Sequence, residues 1–318
     1  MTFGTLPSSA DFANGRVLRE PAGAGPGYWI GCPGVYRDPA SGLWVLTYRI
    51  RRPRGVAPER GGEIAIATST DGARFDDIVR FTKDQFDTAS LERSAVQRTA
   101  DGLWHLFVSY VDPSDGRWCT AVLRGPDLGL LDPAHREVVF RASDVDLEGV
   151  KDPYLWKEGA TTWMLLSVAV RTASTSASSH ETLDIYNTGD CISATALASS
   201  EDLRNWAWHG VVFAPEGTGW DRYCRRINSV VRVEERLLAF YDGSASAAEN
   251  YEERCGLAEG ADLTSLHTTT KQEPAYTSPY ATGSLRYVDV VEFNGNLHLF
   301  YEFARADGAH DLRTIVVR

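Results

Sequence analysis

The chain has 318 residues, of which 43% are hydrophobic and 24% charged, and its formal net charge is −11. That is the balance of a globular domain, without an apolar run near the roughly 18 residues that a membrane helix needs, and its acidity disfavours nucleic acid or an anionic membrane as partner, since both call for clustered positive charge. Five cysteines (Cys32, Cys119, Cys191, Cys224, Cys255) are odd in number and lack paired metal-ligand spacing, and the N-terminal segment has no basic region followed by an apolar core; the expectation is a cytoplasmic protein with reduced thiols, no metal and no cofactor.

In chain order, residues 15–20 (GRVLRE) read as a lone strand, and from residue 28 onward one phrase returns five times. It is RDPASGLWVL at Arg37–Leu46, RTADGLWHLF at Arg98–Phe107, WKEGATTWML at Trp156–Leu165, VEERLLAF at Val233–Phe240 and EFNGNLHLF at Glu292–Phe300. Each is an apolar strand, a tight polar turn and a second apolar strand, which is a β-hairpin. Taking Trp44, Trp104, Trp163, Leu238 and Leu297 as equivalent points, the hairpins recur roughly every 60 to 75 residues, the period of a radial repeat architecture.

A second hairpin follows in four of the repeats, at 64–78, 119–131, 194–213 and 254–267. The last repeat, from Leu285, has only three strand-like runs, and residues 15–20 supply the missing fourth by pairing the two chain ends. The sequence therefore predicts an all-β fold, one domain over 1–318, forming a five-bladed β-propeller with a central pocket. Its blades fall near 28–80, 90–140, 148–213, 222–268 and 284–318 plus 15–20. The small polar stretch Arg171–His180 (RTASTSASSH) reads either as a surface loop or as a lid over that pocket.

In a propeller the innermost strands line the axis, so residues at their starts converge. Counting back about eleven or twelve residues from the hairpin anchors gives Cys32, Glu92 with Arg93, Lys151 with Asp152, Arg225 with Arg226, and Arg286 with Tyr287. Four of these five positions are ionisable, where inner strands are otherwise apolar. Arginines alternating with carboxylates neutralise one another and hold a polar ligand by directed hydrogen bonds; the bland alternative is a solvated channel filled with ion pairs.

Asp152-Pro153 before a strand, in VKDPYLW, together with the fivefold hairpin array, resembles the five-bladed propeller glycosidases of glycoside hydrolase families 43, 32, 62, 117 and 130. The resemblance implies carboxylate acid–base chemistry on a carbohydrate, with Asp152 as the aspartate that orients or tunes the reacting pair. The position at which those families open the first inner strand with an aspartate is Cys32 here, and the position of their acid is Arg226. In the family 117 relatives a histidine takes the acid role, for which His310 is available.

Other carboxylates can complete a pair flanking one bond. Glu92 opens its strand, Glu302 ends an inner hairpin strand, Asp242 stands before Gly243 as either a pocket or a turn residue, and Glu249 sits in a polar loop. The expected catalytic set is Asp152, Glu92, Glu302 and Asp242. The expected substrate-binding set is Arg93, Lys151, Arg226, Arg286, Arg49, Trp220, Tyr287 and His310, and so much positive charge in an acidic protein suits a sugar-containing small molecule with an anionic group. A lyase, cyclase or isomerase on the same fold, and a carbohydrate-binding propeller without catalysis, are the alternatives.

Overall fold

The computed structural model describes residues 6–318. After a one-turn helix α1 (Ser9–Ala13), capped by reciprocal bonds between Ser8 and Asp11, the chain is built of strands: β1 (Arg16–Arg19) and then nineteen more. These follow in antiparallel groups. The first group is β2 (Trp29–Arg37), β3 (Trp44–Arg52), β4 (Arg60–Ser69) and β5 (Asp76–Thr82). The second is β6 (Leu91–Arg98), β7 (Trp104–Val111), β8 (Trp118–Gly125) and β9 (Glu137–Phe140). The third is β10 (Gly149–Glu158), β11 (Thr161–Arg171), β12 (Cys191–Ser200) and β13 (Ala207–Phe213). The fourth is β14 (Cys224–Val233), β15 (Arg236–Ser244), β16 (Arg254–Gly260) and β17 (His267–Thr268). In the last, β18 (Leu285–Phe293), β19 (Asn296–Ala304) and β20 (His310–Val317) are joined at the edge by β1, with Arg16 opposite Thr314.

The hairpin turns follow from their polar sequences. Between β2 and β3 the Asp38 carboxylate accepts from the Ser41 hydroxyl at 2.5 Å, and Gly42 takes φ 76° to bring the chain back. Gly102 does the same between β6 and β7 at φ 89°, a conformation glycine adopts without steric cost.

Apolar layers lie between successive groups. Val45, Ile64 and Ile66 meet Val96, Leu106 and Leu123; Phe107 and Val122 meet Val168 and Ala196. Leu165 and Leu197 meet Ile227 and Ala239, Phe240 and Leu257 meet Val290 and Leu299, and Phe300 and Leu312 of the last group meet Trp44 and Leu46 of the first. All of these side chains are buried. Both faces of each group are therefore covered, which is why the strands read as apolar on alternating and continuous patterns alike.

Candidate functional site

Each group's first strand carries a register shift near its start: between Gly31 and Gly34, Leu91 and Ser94, Lys151 and Tyr154, Ile227 and Ser229, and Arg286 and Asp289. These are β-bulges, in which two residues face one on the partner strand and the ladder leaves an N–H unpaired. Pro33 and Pro153 suit the bulge because they have no N–H to lose. Cys32, Asp152 and Tyr287 occupy the left-handed region at φ 55°, 55° and 53°, a conformation costing about 1–3 kcal/mol each for such residues. Neighbouring groups supply the missing partners. The Asp152 N–H donates to Ser109 Oγ at 2.7 Å, the Ile227 N–H to Thr195 Oγ1 at 2.9 Å, and the Tyr287 N–H to Asp242 Oδ1 at 3.0 Å.

The bulges aim charged side chains into one buried network. Glu92 pairs with Arg49, whose other nitrogen reaches Glu302 Oε2 at 3.3 Å. Glu302 Oε1 accepts from Arg286 Nη2 at 2.7 Å and lies 2.8 Å from His310 Nδ1. Arg286 continues to Glu253 Oε2 at 2.7 Å, and Glu253 pairs in turn with Arg226. Lys151 Nζ stands 3.5 Å from Asp152 Oδ2 and lies over the rings of Trp118 and Tyr186, each 4.8 Å away. Ligand atoms of Cys32, Glu92 and Asp152 all fall within 4.8 Å of one another. That is a donor set a metal could use, but Arg49 and Lys151 already bring positive charge to both carboxylates.

The shared environment drives the carboxylates apart. Burial opposes the charge of Glu92, yet Arg49, Lys151, Arg51 and Arg286 outweigh it and hold the acid at about 2. Glu302 is likewise kept well below the carboxylate range against its burial by Arg286, the His310 contact and Arg49. Asp242 goes the other way: burial lifts it to about 6, only partly offset by Arg226 and the Tyr287 N–H. Burial also raises the Tyr287 phenol, reinforced by Asp152, Cys32 and Glu92.

Of the residues nominated from sequence, Glu92, Asp152, Asp242, Glu302, Arg49, Lys151, Arg226, Arg286, Tyr287 and His310 meet in this cluster. Arg93 points to the same axis but spans it, bonding to the Pro33 and Asn228 carbonyls and to Asp289. Trp220 lies elsewhere: its ring stacks on Tyr241 at 5.7 Å and its indole N–H donates to the Thr270 carbonyl at 2.6 Å. Arg225 turns away to Asp221 and Glu216, and Glu249 is a half-exposed partner of Arg254. Glu253, which bridges two arginines, was not nominated; it follows Glu252 directly before β16 in a stretch with no strand alternation to flag it.

The cluster is covered. The segment between β11 and β12 is pinned by Trp118 Nε1 to Asp184 Oδ1 at 3.1 Å and by the Tyr223 hydroxyl to the Tyr186 carbonyl at 2.8 Å, which sets Tyr186 against Lys151. Cys32 is 0% exposed, and burial raises its thiol well above the ordinary value, with Asp152 and Glu92 adding to the rise against Arg49 and Arg93. All five thiols are buried. We expect a thiol reagent such as Ellman's to label none of them in the native protein at pH 8 and all after unfolding; rapid labelling of Cys32 would mean the cover is open in solution.

No protein-family model matches the sequence, and no curated protein does. Solved structures do. A glycoside hydrolase superposes with TM-score 0.65 at 13% identity, over 99% of this chain and 96% of its own. A thermostable family-43 glycoside hydrolase gives TM-score 0.64 at 12% identity, over 94% and 92%. The β-1,2-mannobiose phosphorylase from Listeria innocua, in complex with β-1,2-mannobiose, gives 0.58 at 16%, over 94% and 93%. The chain has the propeller fold of these sugar-active proteins.

Proposed function

We propose that the chain is a single-domain five-bladed β-propeller, with blades near 28–80, 90–140, 148–213, 222–268 and 284–318 plus 15–20, and that it cleaves a glycosidic bond by carboxylate acid–base chemistry at its axis. The observation that carries this reading is the convergence of Glu92, Asp152, Asp242 and Glu302 on one buried network, in which Arg49 favours the charge of Glu92 while burial opposes that of Asp242. Two carboxyl groups pushed apart by their surroundings are the signature of an acid and a base sharing a site. Glu92 is the base or nucleophile and Asp242 the proton donor. Asp152, beside both Glu92 and Lys151, tunes the pair. Glu302 positions Arg49, Arg286 and His310. The sugar-active proteins sharing the fold support a carbohydrate ligand.

The test is turnover of a panel of aryl glycosides as a function of pH. With Asp242 as the acid, kcat/KM falls about tenfold per pH unit above pH 6, because its proton is lost, and the acid limb lies far down near the Glu92 value. Asp242→Asn should lose that alkaline limb along with at least roughly a hundredfold in rate. A profile flat between pH 5 and 8 would remove Asp242 from the role.

A second reading is a lyase or isomerase on the same fold. It is favoured by the first strand, where Gly31 and Cys32 offer no carboxylate and a side chain at 31 has no room: a Cβ there would lie 2.4 Å from Glu302 Oε2. An unsaturated or rearranged product in place of a new reducing end would select it.

A further inference from the structure

Arg49 and Arg51 lie two apart on β3 and so project to the same face. Arg49 is fully buried and paired with two carboxylates, whereas Arg51, two residues farther along, is partly exposed and has no salt bridge and no hydrogen bond among the described residues. Its guanidinium has no carboxylate within 4 Å among the described residues and lies 4.6 Å from the Trp29 ring and 4.9 Å from the Tyr251 ring. Burial and the neighbouring Arg49 lower its pKa from the ordinary arginine value. Trp29 in turn stacks on His310 at 4.7 Å and lies 5.0 Å from the Arg286 guanidinium, so this clamp adjoins the ion network. The other cations of the network, Arg49, Lys151, Arg226 and Arg286, each have a carboxylate within 4 Å. Among the described residues Arg51 is the one of these cations with no carboxylate within 4 Å; Glu92 acts on it only from farther off, and it stands at the network's more exposed margin.

We propose that Arg51 is the recognition group for a carboxylate on the substrate, so that the sugar bound here is a uronic acid. The proposal rests on the carbohydrate reading of the same site. The guanidinium sits in the corner formed by the Trp29 and Tyr251 rings, whose centroids are 6.3 Å apart, and its Nε–H has no partner among the described residues, which leaves open the fork that binds a carboxylate bidentately.

The test is binding of glucuronate, galacturonate and mannuronate, each beside its neutral parent sugar and inorganic phosphate, by calorimetry on the intact chain. At least one uronate is expected to bind tighter than its parent and than phosphate. Arg51→Gln should weaken that uronate about ten- to a hundredfold, and leave the parent sugar unchanged. Arg51→Lys, which keeps charge without the fork, should recover part of the loss. Because the Arg51 side chain makes no ion pair or hydrogen bond among the described residues of the free protein, both variants should stay folded, with Arg51→Gln shifting the melting temperature only by the loss of its contacts with Trp29 and Tyr251. Neutral sugars bound as tightly as uronates, phosphate bound more tightly, no sugar bound at all, or equal weakening of acid and parent in Arg51→Gln would each overturn the assignment. Selective uronate binding in a protein that cleaves no aryl uronide would leave Arg51's role standing and sink the glycosidase reading instead.

Discussion

Replacing Arg93 by Met should destabilise the protein by about 3–5 kcal/mol, the cost typical of removing one member of a buried charge pair. The Arg93 side chain is 1% exposed and ties four first strands together from its place on β6. Its Nε donates to the Pro33 carbonyl of β2 at 2.8 Å, Nη1 to the Asn228 carbonyl of β14 at 2.9 Å, and Nη2 to Asp289 Oδ2 of β18 at 2.7 Å. Methionine fills much of the volume but makes none of these bonds, leaving two carbonyls and a carboxylate stranded. Burial already raises Asp289 to about 6, with Arg93 and the Val35 N–H as the main offsets. Without Arg93 the folded-state pKa of Asp289 rises further above its unfolded value. A group raised in the folded state loses stability as pH climbs from the unfolded pKa towards the folded one. The deficit of Arg93→Met should therefore widen from pH 5 to pH 8, and Asp289→Asn in the same chain should recover part of it. Denaturant melts at the two pH values decide the matter: a loss below about 1 kcal/mol, or one independent of pH, would show that the axis does not depend on this guanidinium.

Arg93 also shows where sequence reading stops. The hairpins around Trp44, Trp104 and Leu297 are legible because alternating apolar strands and glycine-bearing turns are local properties, and the residues at strand starts follow by counting. The direction of each side chain at those starts does not follow. A bulge inserts an extra residue, so alternation fails where the site is built: Glu92 and Arg93 are consecutive, and both reach the axis, one to Arg49 and the other through it to Asp289. In the fourth group the shift comes after Ile227 instead, so Arg226 enters the network while Arg225 turns to Asp221. Trp220 precedes the same strand in sequence, yet its ring is taken up by Tyr241 and the close approach of Gly243.

The same geometry explains why Asp242 reads ambiguously. Its neighbour Gly243 suggests a turn, but Asp242 sits opposite Arg226 in a continuous ladder and caps the bulge of the next group through the Tyr287 N–H. A structural cap and a raised pKa are compatible, because the Tyr287 N–H and the charge of Arg226 leave a buried carboxyl undercompensated.

Asp152→Asn should reduce turnover at least roughly a hundredfold in a protein that stays folded, at a smaller cost in stability than Arg93→Met because the charge removed beside Lys151 also repels the neighbouring Glu92. Asparagine is isosteric and tolerates the left-handed backbone that Asp152 adopts at φ 55°, so the bulge persists, whereas Asp152→Ala would confound chemistry with strain. The N–H of residue 152 keeps its bond to Ser109, and the side-chain oxygen facing the Arg93 N–H is retained. What is lost is the negative charge beside Lys151 and Glu92, and with it the orientation of Lys151 and the field in which the reacting carboxylate works. Cys32→Ala should cost much less, since its thiol is held protonated by burial and alanine meets the same backbone conformation. Measured side by side on one aryl substrate, a large loss in Cys32→Ala with Asp152→Asn unchanged would reverse the assignment and place a thiolate nucleophile at the axis.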